Sequence, residues 1–410
     1  MRIRLIWSVS LLLALFSCSK DDNFSALPSP SPGKDGPTPS RVVSEESRRV
    51  LVFVSAGFNS LASYLDENLR TIERSPLPRG YYADDVLLVL GRRPVPGGGY
   101  GTPASPVLFR VYADADGTPV HDTLKVWGPE NALCTKEFLS EALSYVGRQF
   151  PAKGYGMIFS SHALGWLPPS YTVPSGNDVW TVGRRSIGQD RTPDGSIELS
   201  LEDFADALPF RMDYVIFDAC LMGCVEVAWQ LRGKADIVGF SPAEILAQGF
   251  DYSTMTARLF AKEPDPTGFC QDYFAQYDPY GDATVSVVDT RRLDALAGLC
   301  KSLFARYDLS AVPPSSVQRY FRPSVTPNCT VLYDLKDALV KAGISAAEEA
   351  ELDAALADAI LYKAATDQFL SIPIVCYSGL SLYLPSAGNA VLDAYYREHI
   401  LWNRAVELVK

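Results

Sequence analysis

The stretch "DYVIFDACLMGCVEVAWQLRG", residues 213–233, determines how this chain is read. Its apolar run "YVIF" has the length and composition of a buried strand, and it breaks at Asp218. Cys220 follows two residues later, and a helical pattern then runs from about 222 to Gly233. Cysteine is among the most buried residue types, so residue type alone favours a small hydrophobe in a packed core. Position favours a nucleophile, set at a strand end in front of a helix. Both readings stand at this point.

The same rhythm extends in both directions. "RVLVFVS" (49–55), "DVLLVLG" (85–91), "VLFRVY" (107–112), "YGMIFSSH" (155–162) and "ADIVGFSP" (235–242) each read as a short buried strand. Leu61, Tyr64, Leu65, Leu69 and Ile72 recur at helical spacing, as do Phe138, Leu139, Ala142, Leu143, Val146 and Phe150 before Pro151. Strands alternating with helices predict an α/β fold, a three-layer αβα sandwich around a mostly parallel sheet. A polar, exposed loop is expected from about 167 to 197, and it holds Arg184, Arg185 and Arg191.

After about 260 the rhythm loosens. "ATVSVVD" and "GLSLYLP" remain strand-like, and Ser345 with Glu348 forms a capping box in front of a clear helix. The expected division is a core over 48–260 and a smaller C-terminal α+β subdomain over 261–410. The glycine-rich "PVPGGGYGTP" (94–103) has neither dinucleotide nor P-loop spacing, so it marks no phosphate site.

The first residues read as an address. Arg2 and Arg4 precede the 13-residue apolar stretch "LIWSVSLLLALFS", well short of the ~20 residues that span a bilayer. Residues 1–17 are therefore expected to be a signal peptide. The ending Leu15-Phe16-Ser17-Cys18 resembles the lipobox of bacterial lipoproteins, which implies acylation of Cys18 and anchoring to the outer membrane, surface-exposed or facing the periplasm. Residues 18–47, with five prolines between 28 and 39, form an extended tether.

Charge narrows the partners. The net charge of −11 with no basic run argues against nucleic acid or anionic lipid, so the lipid anchor is the one membrane contact expected. The protein is expected to be a monomer. Eight cysteines less Cys18 leave an odd seven, too scattered for a disulfide framework. "CLMGC" has no second cysteine or histidine pair nearby, so it lacks zinc-site spacing. No cofactor or metal is required by the sequence, and a calcium requirement has no signature in it.

There are three histidines. His121 falls in a Pro/Asp/Thr turn and His399 near the end, in "YYREHILW". His162 alone follows an apolar strand directly and precedes a small-residue turn. A lone histidine there is commonly structural. In a parallel sheet, however, reacting groups collect at the carboxyl ends of strands. "GMIFSSH" and "YVIFDAC" end with the two side chains a thiol mechanism needs: a sulfur to attack and an imidazole to move its proton. A helix N-terminus aimed at Cys220 would favour the thiolate further.

"YGMIFSSHALGW" and "VIFDACLMGCVEVAWQLR" resemble the histidine and cysteine blocks of the clostripain-like cysteine peptidases, which share the caspase-type fold. "LVFVSAGFNSL", "FLSEALSYVGRQFPAKGYG", "SPAEILAQGFDY" and "GLSLYLPS" extend the similarity over nearly all of 48–410. The resemblance implies Cys220 as nucleophile, His162 as general base and acid, and an oxyanion hole built from the backbone N–H groups of Cys220 and Ala163. It implies a peptide or protein substrate cut after Arg or Lys, with Asp218 as a pocket acid and Glu244 or Asp251 as a second. A cut between the two blocks, near Arg184, Arg185 or Arg191, would suit relatives that mature by processing. The chain departs from the family's pattern at Ala163, where His-Gly is usual, and at "SAGFNS", where an acidic stretch is usual. An inert lipoprotein that binds peptide in the same cleft is the alternative. A serine hydrolase lacks any G-x-S-x-G.

Overall fold

The computed structural model describes residues 48–92, 105–169, 171, 186–192, 195–322 and 331–410. The expected signal peptide, Cys18, the tether, the stretch 94–103, Arg184, Arg185 and Cys329 lie outside the described residues.

In chain order the first elements are β1 (Arg49–Ser55), α1 (Ala62–Arg74), β2 (Asp85–Arg92), β3 (Pro106–Ala113), β4 (Pro119–Val126), α2 (Lys136–Gln149) and β5 (Gly154–Ser160). Next come β6 (Ile187–Thr192), β7 (Gly195–Leu199), α3 (Leu201–Ala207), β8 (Met212–Asp218), α4 (Val225–Gln230) and β9 (Ala235–Phe240). Downstream lie α5 (Met255–Leu259), α6 (Pro266–Tyr277), β10 (Thr284–Asp289), α7 (Leu293–Phe304), β11 (Leu332–Asp334), α8 (Leu335–Lys341), α9 (Ala346–Ala359) and β12 (Ile360–Ala365). The last are β13 (Gln368–Phe369), β14 (Ile372–Pro373), β15 (Ser381–Tyr383), α10 (Ala390–His399) and α11 (Leu401–Val406).

Nine strands make one sheet in the order β12-β10-β9-β8-β5-β1-β2-β3-β4. The five central strands, β9 to β2, run parallel. Antiparallel pairs finish both edges. Central strands are apolar on both faces because both faces are covered. On β1, Val50, Val52 and Val54 point into one layer, with residues of α2, α3, α4, α7 and α9. Leu51 and Phe53 point into the other, with residues of α1, α5 and α6. This is the three-layer αβα sandwich expected from the alternation of strands and helices. Within 261–410, β10 and β12 extend this same sheet, and α7 and α9 pack in the same layer as α2.

Three local expectations are corrected. His121 lies in β4 and not in a turn, because an edge strand that is half exposed carries no apolar alternation to announce it. The segment 186–192, expected within an exposed loop, forms β6, with Ile187 and Asp190 fully buried. The helix expected from about 222 starts at Val225 and has six residues. Residues 221–223 instead follow the 241–243 backbone, with Leu221 N–H on Ala243 O at 2.9 Å and Gly223 N–H on Ser241 O at 2.8 Å.

From β1 the chain builds outward to β2, β3 and β4; from β5 it builds the opposite way, through β8, β9 and β10. The order therefore reverses between β1 and β5. Connections there leave on opposite faces of the sheet, opening a crevice at the strands' carboxyl ends.

Candidate active site

The crevice receives four segments. Ser160 at the end of β5 is in register with Asp218 at the end of β8, and Ser161 N–H continues the ladder to Asp218 O at 3.2 Å. His162 and Cys220 each follow by two residues the last residue of these two paired strands. The other histidines are committed elsewhere. His121 Nε2 meets Glu73 at 2.8 Å, and His399 Nδ1 meets Glu202 at 2.9 Å.

Ile245, in the loop after β9, bonds the Cys220 sulfur. Ile245 N–H donates to Sγ at 3.4 Å, and the thiol can donate to Ile245 O at 3.6 Å. The donor expected from a helix N-terminus is thus a loop amide, since α4 begins well beyond the sulfur-bearing residue, at Val225. Directly after Cys220 the backbone turns through the left-handed region at Leu221, φ 61°. Such angles in a non-glycine residue store strain of about 1–3 kcal/mol, and they cluster at functional turns. The other described thiols are poorly suited to attack. Burial holds Cys134, Cys224, Cys270 and Cys300 well above the usual thiol range, and burial with Asp334 nearby pushes Cys376 up to about 12.

His162 is nearly buried, 8% exposed, and its Nε2 meets the Ser60 hydroxyl at 2.9 Å. The sequence gives no sign that Ser60 takes part. Its neighbour Asn59 explains how it is held: the buried amide donates to Ala56 O at 3.2 Å, Ser161 Oγ at 3.3 Å and Gln189 O at 2.8 Å. Asp190, in β6, fixes the same loop by accepting from Phe58 N–H at 3.0 Å, and Arg92 meets the same oxygen at 2.6 Å. Its other oxygen accepts from Leu133 N–H at 2.6 Å. Gly57 permits this packing. At φ +91°, a Cβ there would sit 1.9 Å from Gln189 O.

Ala163 pairs with Ile187 across a short antiparallel bridge. Gly188 N–H to His162 O and Leu164 N–H to Ser186 O, both at 2.9 Å, bracket it. At such a position the residue's own N–H is not consumed by the ladder. Positive φ among the described non-glycine residues occurs at Leu221, Leu370 and Glu407, so Ala163 carries no left-handed strain. The methyl group that replaces the family's usual glycine hydrogen leaves the backbone donor unstrained.

The three candidate acids are placed differently. Asp218 is buried, and it accepts from Ser160 Oγ at 2.8 Å and Tyr252 Oη at 2.7 Å. Burial pushes its carboxyl up to about 6, against the hydroxyls of Tyr252 and Ser160 and the Phe250 N–H. Gly249, φ +71°, lies so close that a Cβ would fall 2.4 Å from the carboxylate. Glu244 is already paired: Arg322 Nε meets Oε1 at 2.9 Å and Nη2 meets Oε2 at 2.7 Å. Asp251 accepts from Ser253 N–H at 3.1 Å and lines a shallow cleft of about 200 Å³ with Tyr64, Asn68 and Gln248. Among the described residues no group of three or more His, Cys, Asp or Glu side chains is placed to hold a metal.

A mostly parallel αβα sandwich with cysteine and histidine at neighbouring strand ends defines the caspase-like class. The chain belongs to the clostripain family, peptidase C11, whose model matches residues 55–402. An inactive zymogen C11 protease from Parabacteroides distasonis is 29% identical, with TM-score 0.72 over 89% of this chain and 99% of its own. A secreted C11 cysteine protease from Bacteroides thetaiotaomicron, solved with an irreversible peptide inhibitor, is 24% identical with TM-score 0.72 over 88% and 99%. No curated protein matches the chain.

Proposed function

We propose that this protein is a cysteine endopeptidase that cuts after Arg or Lys, held by a lipidated Cys18 at the bacterial surface. The observation that supports the reading is that His162 and Cys220 each follow the carboxyl end of one of two paired parallel strands beside the switch point, with Ile245 bonded to the sulfur. Ser60 pairs with Nε2 of His162 and orients the imidazole, which takes the thiol's proton. The thiolate attacks the scissile carbonyl carbon and its π electrons move to oxygen. N–H groups of Cys220 and Ala163 take up that charge; one such donor is typically worth about 2.7–4 kcal/mol of barrier. His162 then protonates the leaving amine, and the acyl-enzyme forms as the C–N bond breaks. Water, deprotonated by His162, releases the acid and regenerates the thiol.

Asp218 supports the preference for a basic residue. It is a buried carboxylate with no ion-pair partner among the described residues, whereas Glu244 already has Arg322. A substrate guanidinium or ammonium would supply the missing charge. Processing, if it occurs, suits Arg184 or Arg185 better than Arg191, whose N–H is bonded to Phe58 O at 2.9 Å within β6. A second reading, a precursor inert until that interval is cut, draws on the P. distasonis relative, which is an inactive zymogen.

The test is a panel of peptides with Arg, Lys or neutral residues before the bond. Cleavage of the basic members that survives Cys224→Ala and vanishes with Cys220→Ala is expected. Absence of turnover both before and after proteolytic nicking within 172–185 would sink both readings.

A further inference from the structure

We infer that Arg322, delivered by the C-terminal segment and clamped by Glu244, positions the catalytic thiolate and compensates its charge. The proposal rests on Cys220 being the nucleophile. Arg322 and Glu244 lie 78 residues apart and meet through two parallel N–H···O bonds of 2.9 and 2.7 Å. That fork geometry fixes orientation as well as distance. Glu244 directly precedes Ile245, and Ile245 contacts the sulfur through both its N–H and its C=O. The clamp therefore fixes a backbone unit that holds Sγ. Side-chain exposures of 26% for Arg322 and 19% for Glu244 place the pair at the cleft wall, where water screens it only in part.

Charge makes the second half of the argument. Arg322, paired with Glu244, and Tyr273 from α6 both interact electrostatically with Cys220, while Asp218 ends β8 two residues before it and His162 follows the neighbouring β5. Glu244 raises the affinity of Arg322 for its proton most, and the Cys220 thiolate adds to it. Without Arg322, Glu244 would stand beside the nucleophile as a bare anion and disfavour its ionisation. With it, the acid that grips the loop is neutralised.

The two members of the pair therefore act on the thiol with opposite sign, which a merely structural pair would not do. The readout is the rate of iodoacetamide alkylation at Cys220 against pH, located by peptide mapping, in the full chain. Arg322→Gln is expected to move the midpoint up by about one pH unit, a roughly tenfold loss of thiolate below it. Glu244→Gln is expected to move it down, and the double variant to return it toward the parent value. Arg322→Lys, which keeps the charge and loses the fork, should stay near the parent midpoint. Midpoints that shift together, or that stay fixed in all variants, would overturn the proposal. The assay needs no turnover. Opposite shifts in a protein that cleaves no peptide would retain the charge role and reject only the peptidase reading.

Discussion

Replacing Asp218 with Asn should make the protein more stable and less active. Asp218 is buried beside Tyr252, Ser160 and Gly249, and its carboxyl is raised from 3.8 to about 6. That difference corresponds to a penalty of about 3 kcal/mol on the charged form. The folded-state value lies above the unfolded one, so the folded state binds more protons between about pH 4 and 6. This group's contribution is most favourable below about pH 4, and it is lost as pH rises through 6. An amide in its place cannot ionise, so the variant should equal or trail its parent near pH 4 and gain on it as pH rises. The ceiling is about 3 kcal/mol near pH 7.5, lowered by the amide's poorer match to the hydroxyls. Denaturant unfolding at several pH values, in a Cys220→Ala background that prevents self-digestion, measures the difference. Cleavage after Arg should meanwhile fall at least about 30-fold, the loss of roughly 2 kcal/mol expected when one partner of a buried charge pair is removed. A variant destabilised equally at pH 4.5 and 7.5 would overturn this prediction, since burial of an uncompensated charge could not then explain the shift.

Other outcomes test the frame around the site. Ser60→Ala should lower kcat roughly tenfold or more with KM little changed, because it removes a hydrogen bond that orients the His162 ring. Gly57→Ala should destabilise the fold by about 2 kcal/mol or more, since its Cβ would meet the Gln189 carbonyl at 1.9 Å, and a melting curve would show it. Arg92→Met should cost about 3–5 kcal/mol in denaturant unfolding, leaving Asp190 charged and buried, and the double change with Asp190→Leu should recover part of it.

The five parallel strands were legible because burial on both faces makes each a continuous apolar run, as in β1 and β8. β4 was not, since an edge strand is free to be polar. β6 reads as loop because Ile187 is the one large apolar side chain in its buried part, and the burial of Asp190 there is made tolerable by Arg92 from 98 residues away. Apolar periodicity could not separate the turn at 221–223 from the start of α4, and the hydrogen bonds to 241–243 decide it. His162 and Cys220 stood out as candidates because each comes two residues after a central strand. Ser60, Ile245 and Arg322 did not. Ser60 acts across 102 residues, Ile245 through its backbone, and Arg322 through an acid that looked available to substrate.

The most direct measurement is where an irreversible thiol-reactive peptide ending in arginine attaches. Mass mapping of the labelled protein should find one adduct, on Cys220, formed far more slowly in His162→Ala and unaffected by Cys224→Ala. An adduct on another cysteine, or a Cys220 adduct that forms as fast without the His162 imidazole, would contradict the dyad at the centre of this account.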